Sequence, residues 1–211
     1  MALDELVRGA TAYPAHEAHE VHEVHEVLEP PAPSVERWSF LRWARQRRGA
    51  ALLRQHERDL VRLRAIDSAR AALSGASALV EAGWMQGAWF QVQDAGGRCR
   101  SIGPLELRLL EGRQIIGACL VGAVVEAAGG TRQSQSTPTG RALDLLWDTL
   151  QEERGWPTSP TFDIVCAPTV RAARVRELTA WNDETGRTRS DVLGLIGAAD
   201  SRAIREAAGA A

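Results

Sequence analysis

The sequence contains no lysine: all 25 basic residues among its 211 are arginine. That absence excludes phosphate-loop NTPases, protein kinases, pyridoxal-phosphate enzymes and Ser-Lys hydrolases, each of which places a lysine amine at the reacting group. Arginine does not substitute, because its guanidinium keeps its proton. Cysteine is scarce as well. Cys99, Cys119 and Cys166 are odd in number, far apart and without a CxxC pair, so reduced and mostly buried thiols are expected, with neither a disulfide framework nor a cysteine zinc site. No apolar run approaches the ~20 residues that cross a bilayer, and the N-terminus lacks the basic-then-apolar pattern of a signal peptide. The expectation is a cytoplasmic protein with no membrane partner. Tyrosine occurs once against seven tryptophans; each tryptophan adjoins an apolar stripe, so core packing is its expected role.

What is present is charge, and it is segregated. Seven acids against Arg8 leave residues 1–35 at −6, and ten arginines against four acids leave residues 36–75 at +6, a contrast hidden by the net charge of −2. Three segments follow: an acidic leader over 1–35, a basic amphipathic helical segment over 36–75, and a helical domain with a small hairpin over 76–205. The leader carries the tandem triplet around His16, His19, His22 and His25, each histidine followed by a glutamate. Period three matches neither helix nor strand, so disorder is expected. Interleaved imidazoles and carboxylates could gather zinc or nickel. The pattern is HExH, however, and not the HExxH of a metalloprotease helix. A solvated repeat with no cofactor is the plainer reading.

From Trp38 to Leu73 the periodicity predicts one long helix or two. Leu52, Leu53, Leu60, Leu63 and Ile66 fall on one side, and Arg54, Arg58 and Arg62, spaced by four, fall opposite. Stacked like charges repel, and the acidic leader, a protein partner or a phosphate backbone would each relieve them. Residues 88–102, with Asp94-Ala95-Gly96-Gly97 as the turn, predict a β-hairpin. Residues 104–128, apolar around most of the wheel, predict a central buried helix. Thr137-Pro138 and Thr188-Arg189-Ser190-Asp191 open two further helices, Pro168 to Trp181 reads as another, and 162–166 as a short extended piece. The expected fold is mainly α, a helical bundle-like domain with one small hairpin.

Three short motifs recur in order: Gly83-Trp84-Met85-Gln86-Gly87, Cys119-Leu120-Val121-Gly122-Ala123, and Ala180-Trp181-Asn182-Asp183. On these the chain, over about residues 70–200, resembles a family of uncharacterised proteins from actinobacteria and their phages. The family is a domain of unknown function, so the resemblance implies a source and a domain boundary but no activity. It marks Trp84, Gln86, Gly87, Cys119, Gly122, Trp181, Asn182 and Asp183 as the family-motif residues. Family members often carry a second cysteine where this chain has Met85.

Reacting groups are few. Outside the leader the sole histidine is His56, and no Gly-x-Ser-x-Gly or Gly-x-Gly-x-x-Gly occurs. The expected function is a non-enzymatic interaction or regulatory module, with a protein or its own leader as partner. Two alternatives stand beside it. One is a nucleic-acid-associated protein using Arg54, Arg58 and Arg62; the other is a small enzyme with a cysteine or Asn-Asp site.

Overall fold

The computed structural model describes residues 35–130, 137–163 and 166–209. The acidic leader, with His16, His19, His22 and His25, lies outside them. The chain divides into two compact units, residues 1–47 and 48–211. The described part of the first is the opening of helix α1 (Val35–Ala82). There Phe40 stacks on Trp43, and the Arg47 guanidinium sits 4.7 Å over the same indole.

The second unit holds the rest of α1, a three-stranded antiparallel sheet of β1 (Phe90–Gln93), β2 (Cys99–Ile102) and β3 (Gln114–Ala118), then α2 (Leu120–Ala127), α3 (Thr137–Glu153), α4 (Pro168–Asn182) and α5 (Arg189–Ala208). Short 3-10 turns occupy Pro104–Leu110 and Thr161–Asp163. β1 is central, flanked by β2 and β3. Asp94 builds the hairpin turn by accepting from the Gly96 and Arg98 amides, and Gly97 takes the positive φ of 79° that the turn needs.

The core is one cluster. α1 contributes Ile66, Ala69, Leu73, Ala76 and Val80 at alternating spacings of three and four. α2 is apolar except for Glu126 and buried from Leu120 to Val125. α3 turns in Ala142, Leu145, Leu146 and Leu150, while α5 turns in Val192, Leu195, Ile196, Ala199 and Ala203. The Thr188 hydroxyl and the Asp191 carboxylate form a reciprocal capping box at the start of α5.

Four expectations need correcting. The single helix expected over 104–128 is a 3-10 turn, strand β3 and helix α2. Gly112, at φ 71°, turns the chain into the β-branched pair Ile115 and Ile116, which complete the sheet beside β1. A hairpin alone is marginal, and the third strand supplies what it lacks. Second, the apolar side of the amphipathic segment is packed only toward its end: Leu52 and Leu53 are 71% and 66% exposed, and burial on α1 begins at Ile66. Third, Trp38, Trp43 and Trp156 are exposed, so core packing describes Trp181 and, in part, Trp84, Trp89 and Trp147. Fourth, the thiols are free but only Cys119 is buried; Cys166 is half-buried and Cys99 exposed.

The change of environment along α1 sets a clean contrast. Ile66→Ala should cost about 2–5 kcal/mol, through lost burial and the cavity left behind. Leu52→Ala should stay within about 0.5 kcal/mol of the native protein. Urea unfolding of the two variants checks this, and equal losses would mean that the outer half of the helix is packed after all.

Candidate functional site

All three sequence motifs meet at one side chain. Asn182, the last residue of α4, is fully buried. Its Oδ1 accepts from the Trp84 indole N–H at 3.0 Å and the Leu120 amide at 3.1 Å. Its Nδ2 donates to the Met85 carbonyl at 3.2 Å and to Asp183 Oδ1 at 2.8 Å. Around it, Gln86 Nε2 donates to the carbonyls of Asn182 and Glu184, and Asp183 Oδ1 accepts from the Gly87 amide. Arg187 lies 4.0 Å over the Trp181 ring and donates from Nε to the Trp181 carbonyl.

The glycines of the motifs serve the same junction. A Cβ on Gly122 would lie 2.2 Å from the Trp89 carbonyl oxygen, and one on Gly83 2.2 Å from that of Ile116. Both are backbone contacts, so only glycine permits the approach. Cys119 caps α2, its Sγ accepting from the Gly122 amide. Burial pushes its thiol up to about 11, which keeps it protonated and unreactive at neutral pH. With Asn182 saturated, the chemistry of this junction is that of a clamp: it joins α4, α2 and the chain entering the sheet.

A second polar cluster escaped the sequence reading. Asp144 and Asp148 are buried on α3 at i, i+4. Asp144 accepts from Arg171 Nη2 at 2.8 Å and from Arg174 Nη1 at 3.1 Å, both on α4. Asp148 accepts from the Thr161 hydroxyl at 2.7 Å, and its burial holds the carboxyl above the usual carboxylate range. The Arg174 guanidinium lies 4.1 Å over the Trp147 ring. Beside these groups opens a cleft of about 470 Å³. The available signal was the pair of acids spaced four apart inside an apolar helix, opposite arginines spaced three apart.

Arg54, Arg58 and Arg62 part company. Arg54 and Arg58 are exposed, and Arg58 donates to the Gln55 amide oxygen and the Arg54 carbonyl. Arg62 is half-buried and reaches the Glu206 carbonyl at the end of α5. Among the described residues, no group of three or more His, Cys, Asp and Glu side chains is placed to hold a metal ion, and no helix is long and apolar enough to cross a membrane.

A family model described as a family of unknown function (DUF6197) matches residues 65–202. No curated protein and no solved structure matches the chain. The matched region contains the Asn182 junction and the cleft, and it begins one residue before the first buried position of α1.

Asn182→Ala strands the Trp84 and Leu120 donors in a buried site, so a loss of about 2–4 kcal/mol is expected. A loss below about 1 kcal/mol in denaturant unfolding would show that the junction does not clamp the fold. Thiol labelling near neutral pH supplies a second check. Cys99 should react promptly and Cys119 only after unfolding; rapid modification of Cys119 in the folded protein would contradict its burial.

Proposed function

The chain belongs to this family of unknown function, and on that premise we propose that it is a non-enzymatic interaction module, with its docking surface on residues 48–64 of α1. One observation carries this reading. Leu52, Leu53, Leu60 and Val61 are exposed large apolar side chains on a stretch that also presents Arg48, Arg54, Arg58 and Arg64. Among the described residues, none of these four arginines has a carboxylate partner. Exposed apolar patches of this kind on a soluble domain mark contact surfaces. The arginines select a partner that offers carboxylates beside apolar groups. The surface precedes the family-matched region and leaves the core elements untouched.

Arg48, Arg54, Arg58 and Arg64 also favour a second reading, in which the stretch contacts a phosphate backbone. Arg62 is engaged with α5, so Arg54 and Arg58 would carry the stripe's share of that binding. The two readings separate in one set of experiments on the full chain. In affinity capture with quantitative comparison, a protein partner should be retained by the native chain and lost by both Leu52→Ser/Leu53→Ser/Val61→Ser and Arg54→Gln/Arg58→Gln. In parallel, binding to a random DNA duplex is followed as salt rises. Phosphate contact would make log affinity fall linearly with log salt, and the double arginine variant would reduce the slope by about two. If neither variant changes anything captured and no duplex binds at low salt, the docking surface is refuted. The substituted positions are exposed, so the variants should keep native far-ultraviolet circular dichroism.

A further inference from the structure

One side of α1 stays exposed even where the opposite side enters the core. From Leu53 to Ala78 it steps along the helix by alternating fours and threes, the spacing that keeps residues on one face. Its first half is bulky: Leu53 and Leu60 are 66% and 39% exposed, with Glu57 between them. Arg64 and Asp67 follow, both exposed, and the second half is small, with Ala71, Ser74 and Ala78 exposed in turn. Beside that second half opens a groove of about 510 Å³ between α1 and α5. Asp67, Ala71 and Ser74 form one bank, and Leu193, Gly197 and Asp200 the other. Arg70 Nε donates to Asp200 at 2.7 Å and ties the banks together. A Cβ on Gly197 would meet nothing within 4 Å, so the α5 bank is low and open.

Turned end for end, this side of α1 matches itself. Setting Arg64 against Asp67 of a second copy places Leu60 on its Ala71, Glu57 on its Ser74 and Leu53 on its Ala78, and the two-fold relation makes each pair twice. In these layers a leucine meets a methyl group, a guanidinium meets a carboxylate, and a carboxylate meets a hydroxyl that can donate to it. The facing layers extend over about 38 Å of helix. A parallel copy would instead set Arg64 on Arg64 and Asp67 on Asp67, and both pairs repel. Charge therefore selects both the occupant and its direction.

We propose that α1 binds a second copy of this chain, antiparallel and two-fold symmetric, along the side that runs from Leu53 to Ala78. The proposal rests on the reading of residues 48–64 as a docking surface and names what covers its Leu53 side. Arg54 and Arg58 lie more than a quarter-turn round the helix from that side and stay open to an acidic partner.

The test is sedimentation velocity on the full chain from about 1 to 100 μM, a range in which a micromolar dimer passes from mostly dissociated to mostly formed. A monomer–dimer equilibrium is expected. Arg64→Asp and Asp67→Arg each set like charges face to face and should weaken it about tenfold or more. The double variant Arg64→Asp/Asp67→Arg exchanges the two signs and should restore it. Leu53→Ser/Leu60→Ser should leave a monomer. These four positions are exposed, so every variant should keep the native circular dichroism. A monomer throughout the range overturns the proposal. So does an assembly larger than two, a dimer that no variant weakens, or a double variant no better than the single ones. Arg54→Gln/Arg58→Gln should leave the dimer intact. A native chain that stays monomeric, yet captures a partner that this variant loses, keeps the docking surface and removes only the second copy.

Discussion

The carboxamide of Asn182 is the constraint on which the rest of the second unit depends. An amide side chain has two donor hydrogens and two acceptor lone pairs, and here each is matched: the Trp84 indole and the Leu120 amide on oxygen, the Met85 carbonyl and Asp183 on nitrogen. The three segments so joined are distant in sequence and share no secondary-structure element. In a buried site an unmatched polar atom costs about 1–3 kcal/mol, so the four bonds fix one arrangement against its alternatives. Aspartate would lose both donors, and leucine would lose all four bonds.

Close packing follows from that clamp. Once Leu120 is held at the start of α2, the helix begins against the backbone that leads into β1, and the distance from Gly122 to the Trp89 carbonyl leaves no room for a methyl group. Gly83 meets β3 in the same way, and Gly75 brings α1 against Ala127. These glycines cost backbone entropy in the unfolded chain. The close approach they allow brings α2, buried from Leu120 to Val125, directly against its neighbours.

Much of this was legible in the sequence, and what was missed has physical causes. Caps and turns depend on neighbours in the chain, so the Thr188 box, the Pro168 start and the Asp94 turn could be read directly. The motif residues stood out in order, but their meeting at one amide is a tertiary fact. An apolar run such as Ile115 to Val125 reads alike whether its backbone is strand or helix, and only the vacant edge of β1 makes Ile115 and Ile116 a strand. The cleft was hidden because buried carboxylates look like surface ones until their arginines are placed. Asp144 reads as the polar side of α3 from its own helix, and its burial is set by Arg171 and Arg174 on α4.

The exposed apolar face on α1 has a related cause. A helical wheel shows which residues share a face, not whether anything lies opposite them. Residues 48–64 are rich in leucine and arginine, both good helix formers, and Gln55 adds a local bond to Asp59 four positions on. Helix nucleation is the costly step and propagation is cheap. Packing from Ile66 to Val80 can supply the nucleus, and the earlier residues extend it without a core of their own. A face formed in that way leaves Leu52, Leu53, Leu60 and Val61 in water, which is unfavourable for a solitary helix. The family-matched region begins as this face ends, at residue 65. The matched part holds nearly all of the buried core, with Ala203 just beyond it, and the residues before it leave most of their large apolar side chains exposed.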